Sequence, residues 1–271
     1  HTFGGGVEFF SDVVLYRARS ILGRTPVGTD ATDEPNIAVA VNNPYNPFGS
    51  RFYHPQGLPN ADGTPRLVGD PAEVQFSPGV GTRVVDWENR RIEVTSTAYR
   101  SVIGLRGKLG REWEWESAVL YSGAQTRDTE FNDVRESALR TALARTDATA
   151  FNPFGVTFRV SGNAVVPDQP YSNPKSVLDS FVQVWRHDGF SAIASLDARA
   201  SGPVLRYWGN TASAAVGVEY RREQFLDTRP AYVGSNPPGV GLNVDDNDYL
   251  VASYAPDSTG NRKVSSGYAE V

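Results

Sequence analysis

The sequence predicts an all-β chain of antiparallel up-and-down strands with the marks of a transmembrane β-barrel wall. Three observations carry this reading: period-two alternation in several segments, two hairpins whose cross-strand partners agree on both faces, and connections that alternate between short and very long. Composition points the same way. Gly 26 and Pro 18 in 271 residues exceed the roughly 12% these two usually make up, which argues for turns and against a helical bundle. Aromatics reach 11% while mean hydropathy is −0.38, so large apolar side chains are interleaved with polar ones. No run of about 18 apolar residues exists to form a transmembrane helix, a limit that does not apply to barrel strands.

Val7 to Arg19 reads as a strand of irregular alternation. From Tyr99, the residues Tyr99, Ile103, Leu105 and Leu109 share one face and Arg100, Gly104, Arg106 and Lys108 the other. After Gly110-Arg111-Glu112, alternation resumes with Trp113, Trp115, Val119 and Tyr121 against Glu114, Glu116 and Ser122. A hairpin centred on Arg111 sets Lys108 opposite Glu114 and Arg106 opposite Glu116. On the apolar face it sets Leu109 opposite Trp113, Gly107 beneath Trp115 and Ile103 opposite Val119. A slip of one residue would put charge into the apolar layer. The second hairpin alternates Ala192, Ala194, Leu196, Ala198 and Ala200 with Ser191, Ser195, Asp197 and Arg199. A connection from Ser201 to Thr211 leads to Ala212, Ala214, Val216, Val218 and Tyr220 against Ser213, Gly217, Glu219, Arg221 and Glu223. Lys263 to Val271 begins a sixth strand.

The stretches from Gly23 to about Thr82, Arg127 to about Gly189, and Asp227 to Arg262 are then long loops that leave the sheet on one side. Val134 to Ala144 has the spacing of a short helix inside the second. Soluble domains rarely carry such loops, whereas outer-membrane barrels pair short turns with long outer loops. A soluble antiparallel sheet shows the same strand alternation, so an extracellular sheet protein that binds or hydrolyses polysaccharide is the alternative. The Ala-rich face of the second hairpin, thin for a packed core, and the mixed-sign charges opposite it favour the barrel.

Charge and motifs exclude several functions. A net charge of −5 with pI near 5.3 lacks the basic face of a nucleic-acid binder, so no nucleic acid is expected as a partner. No cysteine means no thiolate chemistry, and His1, His54 and His187 fit no metal or catalytic motif, so no catalytic residue, cofactor or metal site is expected. Glu114 and Glu116, about 7 Å apart on one face, have a spacing that suits glycosidase chemistry, but each has a basic residue opposite and reads as half of an ion pair. The run Asp245-Asp246-Asn247-Asp248 offers oxygen ligands for Ca²⁺, though such runs are more often simply solvated.

Two loop segments, Asn43-Pro44-Tyr45-Asn46-Pro47-Phe48-Gly49 and Phe151-Asn152-Pro153-Phe154-Gly155, share Asn-Pro-Phe-Gly. This is turn chemistry: Asn bonds its own backbone, Pro fixes φ and Gly accepts φ > 0, giving a rigid aromatic-pinned turn. With these segments, Gly104-Leu105-Arg106-Gly107, the block Ala215 to Glu223, and Ser266 to Val271, the chain from about Phe10 onward resembles the TonB-dependent outer-membrane receptors, specifically the subgroup with Asn-Pro-(Phe/Tyr)-Asn-Pro-Phe-Gly loops. The resemblance implies a large plugged barrel of roughly 22 strands in the outer membrane of a Gram-negative bacterium. It implies uptake of a scarce nutrient (siderophore, oligosaccharide, cobalamin or peptide) and, as partners, outer-membrane lipid, a small nutrient ligand and the TonB complex reached through the plug. Residues 1–271 show six to ten strands, no plug-like stretch and no C-terminal aromatic, and are expected to be an internal portion of such a barrel domain. Arg100, Arg106, Lys108, Glu114, Glu116, Asp197, Arg199, Glu219, Arg221 and Glu223 are the expected lumen-lining residues. Tyr45, Phe48, Phe151, Phe154, Trp185 and Tyr232 are the candidate loop contacts to ligand.

Overall fold

A computed structural model describes residues 6–28, 36–76, 86–110, 112–250 and 252–271. Six long strands form one antiparallel sheet whose spatial order is the chain order: β1 (Glu8–Arg24), β2 (Arg90–Leu109), β3 (Trp113–Val134), β4 (Val182–Tyr207), β5 (Asn210–Thr228) and β6 (Ser258–Glu270). The fold is all-β and up-and-down. The sheet is open, with β1 and β6 as its edges.

The first hairpin has the register that its sequence dictates, with Lys108 opposite Glu114, Arg106 opposite Glu116, Gly107 opposite Trp115 and Ile103 opposite Val119. Arg111, the expected centre of its turn, lies outside the described residues. The second hairpin differs from expectation. Ser201 to Thr211 is not a loop: both strands continue to a two-residue turn at Trp208-Gly209, with φ of 44° and 82°. Two consecutive positive φ values match the twist of a tight hairpin turn. Pro203, which reads as a strand breaker, is absorbed by a register shift between Pro203 and Leu205. At the other end β3 runs on to Val134 and β4 starts at Val182, so the second loop is shorter than the alternation suggests. The reason is that both faces are polar there. Pairing is held by backbone bonds and by ions such as Arg127 Nε–Asp188 Oδ1 at 2.7 Å, which leave no period-two apolar signal.

Inside the sheet, bulky aromatics lie over glycines on the neighbouring strand. Phe10 faces Gly104, Tyr99 faces Gly123, Trp115 faces Gly107 and Tyr268 faces Gly217. Trp113 covers Gly202 so closely that an added Cβ would sit 2.5 Å from its ring. Among the described residues neither face of the sheet carries a second layer: Ile103 is 51% and Val218 64% exposed on the apolar face, and the side chains of Arg106 and Arg199 are 51% and 60% exposed on the charged face.

The buried core lies instead at the loop end. Val27, Ile37, Val39, Trp87, Val134, Leu139, Leu143, Phe151, Val177 and Phe181 form one cluster drawn from the first two long loops and the adjoining strand end. Helix α1 (Glu136–Ala144), at the position its spacing predicts, buries Leu139, Ala142 and Leu143 in this cluster. Each of the two leucines contributes roughly 1.5–3 kcal/mol. The third loop joins through Leu250, whose N–H bonds the Val134 carbonyl at 3.1 Å.

Candidate functional site

The register places all ten expected lumen residues on one face of the sheet and the apolar series Tyr99, Ile103, Leu105, Trp115, Val119, Leu196 and Val218 on the other. Directly opposed residues share a face, so the registers define rows across the strands. One row reads Glu8, Arg106, Glu116, Arg199 over β1 to β4, alternating in sign at every step. Arg106 grips Glu8 with two bonds, Nη2–Oε1 at 2.8 Å and Nε–Oε2 at 3.0 Å. Arg199 Nη2 donates to Glu116 Oε1 at 2.8 Å.

The expected pairing of Arg106 with Glu116, and of Lys108 with Glu114, is therefore corrected. Those residues stand opposite one another, but Arg106 turns to β1 and Glu116 to β4. Among the described residues neither Lys108 nor Glu114 has an ion pair within 4.0 Å. A two-strand reading could not see the flanking carboxylate that offers Arg106 bidentate geometry. Farther along, Arg100 Nη1 meets Asp12 Oδ2 at 2.5 Å, and Glu223 is held by Arg262 Nε at 2.9 Å and Arg221 Nε at 2.7 Å. Asp197 and Glu219 are directly opposed, a like-charge pair that costs stability. At the turn end a cleft of about 610 Å³ is lined by Glu8, Arg106, Lys108, Glu114, Glu116 and Arg199. The ten expected residues comprise five cations and five anions. Such a face stays wet without a strong field of either sign.

The loop aromatics have different fates. Phe151 is fully buried, its ring 4.9 Å from Phe181 and stacked on Trp87, so it is a core residue and no ligand reaches it with the loop core intact. Phe154 is half-buried edge-on to Phe158, and Phe48 is 54% exposed at the first loop's surface. The Tyr45 hydroxyl bonds that of Tyr171 at 2.8 Å, and burial followed by this bond pushes the Tyr45 phenol above its usual range. Trp185 lies in β4 rather than a loop and donates from Nε1 to Asp133 Oδ2 at 2.7 Å. Trp185 and Tyr232 come together with Tyr249 in a cleft of about 670 Å³. There the Arg135 guanidinium lies 3.5 Å from the Tyr232 ring centroid, and burial pushes the Tyr249 phenol up to about 12.

The Asn-Pro turns are clasps. Asn43, Asn46 and Asn152 are fully buried, and their Oδ1 atoms accept from the N–H groups of Tyr45, Phe48 and Phe154, each at 2.9 Å. Asn43 Nδ2 crosses to the second loop, donating to the carbonyls of Leu143 (2.9 Å) and Phe151 (3.1 Å). Gly155 takes φ 68° as expected. Gly49 does not adopt positive φ; it is required because an added Cβ would strike the Val41 carbonyl.

In the acidic run of the third loop Asp245 and Asp246 are exposed and Asp248 is buried. Asp248 turns inward, and its Oδ1 accepts the Ser137 N–H at 2.8 Å while Oδ2 takes Arg135 Nε at 2.8 Å and Ser137 Oγ at 2.6 Å. Its carbonyl receives the Glu136 N–H at 2.7 Å. A residue 111 positions away in sequence thus caps α1, whose own flanking Arg135 supplies no side-chain cap. Among the described residues no group of three His, Asp or Glu is placed to hold a metal ion.

Comparison with protein-family models, curated proteins and solved structures gave no match to this chain.

Proposed function

We propose that the chain is part of the wall and outer rim of an outer-membrane, TonB-dependent uptake receptor for a scarce nutrient. The observation that carries this reading is the charge-free band on the apolar face. From Tyr99 to Leu109 on β2, Trp113 to Gln125 on β3 and Phe190 to Gly202 on β4, no residue of that face is charged. On β2 the band spans eleven residues, the length that crosses a hydrocarbon layer when a strand is tilted. Aromatics mark both of its borders, Trp113 and Trp115 toward the turns and the Tyr99–Tyr121 pair, 5.6 Å between centroids, toward the loops. The first charged residue on this face is Glu93 on β2, Arg127 on β3, Asp188 on β4, Arg222 on β5 and Lys263 on β6. From β2 to β6 that border shifts toward the turns, as a membrane surface would across tilted strands, whereas on β1 it lies at Arg17, opposite Thr97 and nearer the turns than Glu93. In water, so large an uncovered apolar surface would drive aggregation. The charged face then lines an aqueous passage, and the clasped loops present Phe48 and the Trp185–Tyr232 cleft to the outside.

Replacing both Trp115 and Val119 by Arg tests the assignment. Heat-modifiable mobility and protease resistance in outer-membrane vesicles should show failed assembly, with a cost of up to roughly 2–4 kcal/mol for Val119→Arg, deeper in the band, and less for Trp115→Arg at its border. Normal assembly of the double variant, or a chain that is monodisperse in water without amphiphile, contradicts the reading.

A further inference from the structure

The outward, apolar face has an uneven charge balance just beyond its charge-free band. Two carboxylates lie there, and each holds two guanidiniums. Glu93 meets Arg19 at 2.7 Å and Arg91 at 3.4 Å, and Asp188 meets Arg127 at 2.7 Å and Arg186 at 3.2 Å. Three more cations, Arg17, Arg222 and Lys263, share this face, are exposed, and have no ion pair among the described residues. On these six strands the rim therefore carries seven cations against two anions, in a chain whose net charge is −5.

Arg222 and Lys263 are directly opposed across β5 and β6. Like charges in that relation repel and destabilise a sheet unless an anion lies between or above them. Tyr220, the preceding outward residue on β5, belongs to the apolar band, so the two cations stand at its margin. The headgroup layer, where lipid phosphate is found, meets the protein at that margin.

We propose that this rim binds the phosphate groups of anionic lipid headgroups in the leaflet on the loop side, with Arg222 and Lys263 on β5 and β6 as its unpaired cationic pair. The proposal rests on the membrane-wall reading. Phosphate offers several acceptor oxygens to guanidinium forks that the two carboxylates do not saturate. Cations held at a lipid surface each strengthen binding roughly fivefold, an effect that salt screens.

The test is flotation of the full 271-residue chain with phosphatidylcholine vesicles and with vesicles containing about one-third phosphatidylglycerol. The expected result is binding to both, tighter to the anionic vesicles at low salt, with the difference lost near roughly 1 M salt. The double variant R222Q/K263Q should lose roughly 10–30-fold of the anionic preference. The variant R145Q/K175Q, which removes the same charge from the loops, should keep it. Equal binding of the wild type to both vesicles overturns the proposal and leaves the membrane wall standing, as does an R222Q/K263Q variant that behaves like R145Q/K175Q. Failure to float with either vesicle overturns the membrane reading and the proposal with it.

Discussion

Asp248 shows how one side chain can tie two distant segments together. Its carboxylate caps α1, pairs with Arg135 and takes the Ser137 hydroxyl, and it is almost fully buried. Asp248→Ala should cost roughly 2–4 kcal/mol, because it strands an amide and a largely buried guanidinium together. Hydrogen exchange at the Ser137 amide and the denaturation midpoint would check this. The phenols of Tyr45 and Tyr249 carry a pH prediction. Both hold their protons more tightly folded than unfolded, so the stability they contribute is intact below their ordinary pKa of 10 and is withdrawn as pH rises through the folded values, about 12 for Tyr249 and above the usual phenol range for Tyr45. Tyrosinate absorbance should show two late-titrating residues whose ionisation coincides with opening of the loop core. Legibility differed sharply among these residues. The Asn-Pro clasps could be read from sequence because an Asx turn is local chemistry. Asp248 could not, since its partners are more than a hundred residues away and an acidic run reads the same whether it is solvated or turned inward. Phe151 was misleading for the same reason: its motif fixes the turn but not the direction in which the ring points.

At the scale of elements, alternation located the strands and the register of the first hairpin because one face is apolar throughout. It failed where that contrast disappears: beyond Gln125 and before Phe190 both faces are polar, and the strands run on through ion pairs. It failed at Pro203 too, because a bulge can take up a residue with no amide hydrogen. The cross-strand aromatic–glycine contacts suggest how such long strands keep their register. Gly202→Ala would drive a methyl group into the root of the Trp113 ring and should destabilise the sheet by roughly 1–3 kcal/mol. Gly260→Ala, with nothing within 4 Å of the added carbon, should be nearly neutral. Unfolding of the two variants side by side in detergent gives the comparison.

For the whole molecule, the sheet inverts the usual layout of a soluble domain. Its compact hydrophobic core is in the loops, while the sheet has one charged face, one apolar face and, among the described residues, no layer over either. The two-faced pattern was legible in the sequence. The packed loop module was not, because its core gathers single residues such as Ile37, Trp87, Phe151 and Phe181 from segments with no periodicity. The loops consequently form a preassembled rim rather than separate tethers. The central claim is that one face meets hydrocarbon and the other water, and the absence of cysteine makes it directly measurable. Single cysteines at Ile103, Leu105, Val119, Leu196 and Val218, and at Arg106, Glu116, Asp197 and Arg199, can be spin-labelled in reconstituted membranes and probed with oxygen and a water-soluble relaxant. The account predicts oxygen-dominated relaxation for the first group and relaxant-dominated for the second, alternating with period two along each strand. Equal water access on both faces, or shielding of the first group from both probes, would contradict it.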